Sequence, residues 1–111
     1  MSGVDETDIG DRFAQLRQRF AARPLVTEGT GFGHSSGLRV AGRIFVIFRE
    51  NEVTVKLPMA RVDELVGRGV GARFQPGHAR VMRQWLTVPS AHAGAWEDLA
   101  EEAFDFVVGG R

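Results

Sequence analysis

The side chains that could act in catalysis or bind a metal are few and widely separated. His34, His78 and His92 each fall in a predicted loop, and none has a second histidine at the close spacing typical of metal sites. The chain has no cysteine, which excludes thiolate ligands, disulfides and a cysteine nucleophile. His34 precedes two serines, Ser35 and Ser36, but adjacent residues rarely face each other and no G-x-S-x-G turn surrounds them. We therefore expect no catalytic residue, no metal and no cofactor.

Acidic side chains gather on one face of the predicted last helix. They are Glu97, Asp98, Glu101, Glu102 and Asp105. A carboxyl group that acts as a general acid or base needs a shifted pKa, and a solvent-exposed helix face provides no burial to raise it. The pattern therefore predicts an exposed helix face, and we expect the protein not to be an enzyme.

Basic side chains are concentrated in the middle of the chain, although the net charge is zero. Residues 39–83 carry nine basic residues against four acids, whereas residues 84–111 carry one against five. Two interpretations remain open. The basic segment can be a nucleic-acid-binding face, or the sheet and the acidic helix can neutralise each other.

The elements that position these side chains are predicted in the order helix, three strands, helix, two strands, helix. The first helix has an apolar stripe at Ile9, Phe13, Leu16 and Phe20 and ends before Pro24. A glycine-rich loop at 24–37 precedes strands at 38–40, 43–48 and 53–57, which are joined by turns at 41–42 and 49–52. A helix after Pro58, with Met59 in its inward stripe, is followed by strands at 72–75 and 82–88 and a loop at 90–94. A last helix from Trp96, whose apolar stripe includes Phe106 and Val107, completes the chain. This order favours an α+β domain with an antiparallel sheet.

The strand at 43–48 is almost wholly apolar, which marks it as central in the sheet. Simple alternation puts Ile44, Val46 and Phe48 on one face and Phe45 and Ile47 on the other. If helices cover only one face, an apolar patch is left exposed, and such a patch predicts an interface. Trp85 is either a core residue or, if exposed, a platform on which a base can stack. Phe45, Ile47 and Trp85 are therefore the interface candidates.

The 111 residues are expected to form one domain at 7–109 after a disordered tail at 1–6. The start of the chain has no basic and apolar leader, and no apolar run approaches the roughly 18 residues that a membrane span needs. Together with the missing cysteines, these features lead us to expect a cytoplasmic protein.

Four blocks of the sequence together resemble the MmcQ/YjbR-like family and the N-terminal domain of the TfoX/Sxy competence regulators. The blocks are G-F-G-H-S-S-G-L-R-V-A-G-R-I-F-V-I-F (31–48), V-T-V-K-L-P (53–58), F-Q-P-G-H (74–78) and M-R-Q-W-L-T-V-P (82–89). The resemblance covers about residues 28–108. It implies a two-layer α/β fold similar to type III secretion chaperones, with helices against one antiparallel sheet.

The resemblance also implies DNA binding, with Arg39, Arg43, Lys56 and Arg83 at the matching positions. The first expectation is therefore a small non-enzymatic nucleic-acid-binding domain of the MmcQ/YjbR or TfoX type. The alternative is a protein-interaction or chaperone-like module that dimerises, or binds a partner protein, through the open sheet face.

Overall fold

A computed structural model describes residues 6–29, 36–76 and 80–109, with the side chains of residues 6–8 left out. In these ranges the chain forms two layers, a six-stranded antiparallel sheet and three α-helices. The expected α+β two-layer architecture is confirmed. No helix in the described ranges has the length and apolar character needed to cross a membrane.

The elements follow the predicted order with one additional strand near the start. They are α1 (Glu6–Ala21), β1 (Val26–Glu28), β2 (Ser36–Val40), β3 (Arg43–Arg49), β4 (Glu52–Lys56), α2 (Met59–Gly67), β5 (Ala72–Phe74), β6 (Met82–Pro89), a 3₁₀ helix (Ser90–Ala95) and α3 (Trp96–Gly109). The strand order across the sheet is β1-β2-β3-β4-β6-β5.

Local sequence explains the central β2–β3–β4 meander. Ala41 and Gly42 connect β2 to β3 with φ values of 53° and 81°, which suit a two-residue hairpin turn that matches the twist of the strands. Glu50 and Asn51 connect β3 to β4, and Glu50 also has a positive φ of 48°. Both connections were predicted as turns, and the three strands lie within a residue or two of the predicted ranges.

One hydrophobic core lies between the sheet and the three helices. The predicted α1 stripe is confirmed, because Ile9, Leu16 and Phe20 are buried there and Phe13 packs against them. The core also takes up Val62 and Leu65 of α2, together with the apolar stripe of α3 that begins at Trp96. Since all three helices contribute to the same core, the opposite sheet face has no helix among the described residues.

The predicted division of β3 into two faces is wrong for Phe45. The register between β2 and β3 shifts by one residue, since Leu38 pairs with Val46 whereas Arg39 pairs with Ile44. Phe45 is the extra residue of this irregularity and has no partner on β2. Such an insertion interrupts the alternation of side chains. Phe45 therefore joins the core and is fully buried, so it is not an exposed interface residue.

Three further sequence predictions were wrong. The loop predicted at 24–37 contains β1, a three-residue edge strand paired with Leu38–Val40. Only Val26 of this strand packs against the core, so β1 gave no alternating pattern to detect. Met59 was assigned to the inward stripe of the second helix, but its side chain is 46% exposed. The expected 90–94 loop is the 3₁₀ helix Ser90–Ala95.

Several sequence predictions fall on residues outside the described ranges. These are residues 1–5 of the tail expected at 1–6, the glycines of the 31–33 segment, and the histidines His34 and His78. The last residue of the expected tail, Glu6, is instead the first residue of α1. His92 is exposed in the 3₁₀ helix.

Ion pairs hold the helices to one another. Glu101 of α3 accepts hydrogen bonds from Arg19 Nε at 2.7 Å and from Arg23 Nη2 at 2.6 Å. Glu102 accepts two bonds from Arg61 of α2, each of 2.9 Å. The half-buried Arg23 guanidinium also lies over an aromatic ring, 4.4 Å from the centroid of Phe20. The acidic face of α3 is therefore largely engaged by arginines of the helix layer.

We predict that Phe45→Ala lowers the free energy of unfolding by about 3–5 kcal/mol, the usual cost of removing a buried aromatic ring. The Phe45 ring packs edge-on against Phe20 and Phe104, with centroid distances of 5.2 Å and 5.5 Å. Chemical denaturation measures the change, with Met59→Ala at an exposed helical position as the control. A loss below about 1 kcal/mol would show that Phe45 is not a core residue.

Hydrogen bonds from Arg23 and then from Arg19 lower the pKa of Glu101 below its ordinary value of 4.5. The ionised form is therefore favoured in the folded state. Its contribution to stability is complete above pH 4.5 and is lost as the pH falls through the lowered pKa.

We accordingly predict that Glu101→Gln lowers the free energy of unfolding by about 1 kcal/mol at neutral pH, a value reduced for the partial exposure of the pair. The difference from the wild type should shrink below pH 4.5. Denaturation across pH tests this, with Asp105→Asn on the exposed face of α3 as the control. A difference that is independent of pH would contradict the ion-pair account.

Candidate nucleic-acid interface

The basic side chains of the sheet are mostly without acidic partners. Of the six on its strands, only Arg73 makes an ion pair in the described part of the chain, with Asp63 at 2.6 Å. The other five are Arg39, Arg43, Arg49, Lys56 and Arg83. Neutralisation of the basic segment by the acidic helix is therefore partial among the described residues: Arg61 of α2 pairs with Glu102, Glu101 pairs with Arg19 and Arg23, and none of these arginines lies on the sheet.

The strand register brings several of the sequence-predicted residues into one row. Arg39 of β2 lies opposite Ile44 of β3, and Lys56 of β4 lies opposite Trp85 of β6. The Lys56 Nζ is 5.3 Å from the centroid of the Trp85 ring, a cation–π contact. The row crosses the sheet face opposite the core, near one end of the sheet.

A groove of about 510 Å³ opens at this end of the sheet, where the C-terminal turns of α3 approach the strands. We call it the cationic groove. Its lining residues are Arg43, Ile44, Lys56, Gln84, Trp85, Phe106 and Val107. Three sequence-predicted residues therefore line the same groove: Arg43, Lys56 and Trp85. They combine two positive charges with an indole ring.

The nearby end of α3 does not neutralise this charge. The C-terminal end of a helix carries the equivalent of about −0.5 of an elementary charge. Arg43 and Lys56 together carry two positive charges, so the groove keeps a positive field that attracts anions. Arg43 and Lys56 interact favourably with the negative C-terminal end of α3, but this interaction leaves most of their positive charge uncompensated.

Arg39 and Arg83 differ from the two groove cations. The Arg39 side chain is half-buried beside Ile44, and its Nε is buried without a hydrogen-bond acceptor among the described residues. Arg83 is exposed on β6 but does not line the cationic groove.

The three residues predicted to form an interface lie in different environments. Trp85 is half-buried and lines the cationic groove, whereas Phe45 belongs to the core. Ile47 lies on the face opposite the core but is only 8% exposed. Beside Ile47 in the register, Thr54 forms a 2.9 Å hydrogen bond with Thr87 across β4 and β6. The centre of this face therefore presents no large exposed apolar patch among the described residues.

Sequence reasoning missed Gln84, Phe106 and Val107 as groove residues. Gln84 alternates with Trp85 on β6, and the pattern gave no reason to select it. Phe106 and Val107 were assigned to the apolar stripe of the last helix, and Val107 does pack in the core. Only the position of the end of α3 over the sheet shows that both also border a groove.

Glu101 does not have the character of a general acid. The pKa of Glu101 is lowered by its arginine partners, whereas a general acid at neutral pH needs a raised value. No group of three or more metal-ligating side chains occurs within residues 6–29, 36–76 and 80–109.

Comparisons with family models, curated proteins and solved structures find no match to the chain. The resemblance to the MmcQ/YjbR-like family stays a prediction.

The different exposure of the two tryptophans allows a direct test of the position of Trp85. Trp96 is buried and donates a 3.0 Å hydrogen bond from Nε1 to the Val88 carbonyl oxygen, whereas Trp85 is partly exposed. We expect acrylamide to quench one component of the fluorescence and leave the other shielded. Trp85→Phe should remove the accessible component with little change in the circular dichroism spectrum. Persistence of that component in Trp85→Phe would contradict the assignment.

Proposed function

We propose that the protein is a non-enzymatic nucleic-acid-binding domain that contacts phosphates through the cations around the cationic groove. One observation carries the proposal. Glu97, Glu101 and Glu102 of α3 pair with arginines outside the sheet, whereas Arg43 and Lys56 have no acidic partner among the described residues and converge with Trp85 on one groove. The chemistry is that expected of a site for a polyanion with aromatic bases.

The arrangement suits a polyanion better than a small single anion. Arg39, Lys56 and Trp85 lie on β2, β4 and β6, and neighbouring strands in a sheet are about 4.8 Å apart. The three strand spacings from β2 to β6 therefore amount to about 14 Å. In one strand of duplex DNA a phosphate recurs about every 3.4 Å along the axis, so this width corresponds to several phosphates.

Three sequence expectations are retained within the proposal. The binding type is that of the MmcQ/YjbR or TfoX proteins, to which the sequence is similar. The absence of an enzymatic activity is supported by the ion-paired state of Glu101 and Glu102. We propose a cytoplasmic location, where a domain without cysteine meets reducing conditions and nucleic acid.

The alternative of a dimerising or chaperone-like module loses the observation on which it depended. It required Phe45 and Ile47 to form an exposed apolar patch. Phe45 is in the core, and Ile47 is almost covered within the single chain.

We predict that Arg43→Gln weakens the binding of a labelled oligonucleotide and makes it less dependent on salt. Each lost phosphate contact should reduce the slope of log K against log salt by about 0.9 on duplex DNA or about 0.7 on a single strand. Fluorescence anisotropy at a low and a moderate salt concentration measures both quantities.

Arg68→Gln is the matched control, because it removes the same charge from an exposed arginine that follows the last residue of α2 and does not line the groove. Wild type and Arg68→Gln should share one salt slope. Absence of binding by the wild type at low salt would overturn the proposed function. Equal slopes for Arg43→Gln and Arg68→Gln would remove Arg43 from the binding site.

A further inference from the structure

A second cavity adjoins the cationic groove and shares two residues with it. This apolar pocket has a volume of about 450 Å³. Its lining residues are Leu25, Val40, Ala41, Arg43, Val107 and Val108. Arg43 and Val107 also line the cationic groove, so Arg43 stands where the two cavities meet. Both volumes lie in the range of small-molecule pockets, which is roughly 300–1,000 Å³.

The rim of the apolar pocket contains two of the most exposed large apolar side chains of the described residues. Leu25 is 70% exposed and Val108 is 41% exposed. Leu25 also has a φ of 69°, a left-handed conformation that is unfavourable for a leucine by roughly 1 kcal/mol. Its carbonyl oxygen accepts a 2.9 Å hydrogen bond from the Ala41 N–H, which fixes this segment beside the β2–β3 turn. The fold thus holds a strained leucine with its side chain in solvent.

We propose that the ligand is a single-stranded polynucleotide, with consecutive bases in the two cavities and the phosphate that joins them at Arg43. This inference rests on the proposed function and specifies its ligand. Arg43 has no acidic partner among the described residues and lies between two cavities, one with an indole ring and one with aliphatic walls. This arrangement matches the base–phosphate–base order of a single strand. The aromatic wall is Trp85, and the aliphatic walls include Leu25 and Val108.

A duplex does not fit this arrangement. In double-stranded DNA the bases are paired and stacked, so entry of two adjacent bases into separate cavities would require them to be unstacked and unpaired at a cost of a few kcal/mol. In a single strand both faces of a base are available for stacking and apolar contact. DNA and RNA share this chemistry, and the test below distinguishes them.

Leu25→Asn is the decisive variant, because it should weaken binding without lowering the stability of the fold. Asparagine is tolerated at positive φ better than leucine, so the substitution should leave the melting temperature unchanged or raise it. It removes the apolar rim, so we expect the affinity for a single strand to fall about 5- to 10-fold, a contribution at the lower end of that of one stacked base. Met59→Gln, at another exposed apolar residue that lines neither cavity, should bind as the wild type does.

The probes are labelled ten-residue oligo(dT), oligo(U) and a ten-base-pair duplex, followed by anisotropy and by quenching of Trp85 fluorescence. The inference predicts tighter binding of a single strand than of the duplex, quenching of Trp85 on binding, and weakened single-strand binding by Leu25→Asn. The tighter of oligo(dT) and oligo(U) identifies the natural backbone.

The outcomes separate this inference from the function on which it rests. Salt-dependent binding in which duplex and single strand are equal and Leu25→Asn has no effect would overturn the inference and leave the proposed function intact. Absence of binding by all three probes at low salt would overturn both.

Discussion

The pairing of Glu101 and Glu102 of α3 with arginines outside the sheet is the interaction on which the candidate site depends. Glu101 binds Arg19 and Arg23, and Glu102 binds Arg61, so three helices are tied together at the surface of the core. The net charge of the chain is zero, yet these acids are not available to the sheet. The fold therefore separates a neutralised helix layer from a sheet whose cations keep their charge. The candidate site follows from this distribution of charge.

The register irregularity at Phe45 is the second feature that determines the candidate site. Phe45 and Val46 are consecutive residues, yet both lie in the core. The alternation of side chains between the two sheet faces is therefore interrupted at this point. Ile44 lines the cationic groove beside Arg43, while Phe45 fills the space between α1 and α3 against Phe20 and Phe104. Because of this one inserted residue, the Phe45 ring lies in the core rather than on the open sheet face, and Ile44 lines the cationic groove. This is why the surface suits a polyanion better than an apolar partner.

Much of the fold could be predicted from the sequence because its signals are local. The α1 stripe from Ile9 to Phe20 and the Ala41–Gly42 turn depend on neighbouring residues alone. Phe45 could not be placed, because a run of consecutive apolar residues looks the same with or without an insertion. Edge strand β1 depends on pairing with β2 and has no periodic pattern of its own. For the site, the sequence identified Arg43, Lys56 and Trp85. It could not identify the partners of Glu101 or the walls from α3, because these depend on helix packing.

The most direct test of the central claim is a map of the ligand-contact surface by nuclear magnetic resonance. The ¹⁵N-labelled protein would be titrated with an oligonucleotide while backbone amide and indole signals are followed. The account predicts that the signals of Ile44, Lys56 and Trp85 shift together and in a saturable manner, while those of Glu101 and Arg61 in the helix layer stay in place. Shifts confined to the helix layer, or no shifts at low salt, would contradict the claim that the unpaired cations of the sheet form the binding site.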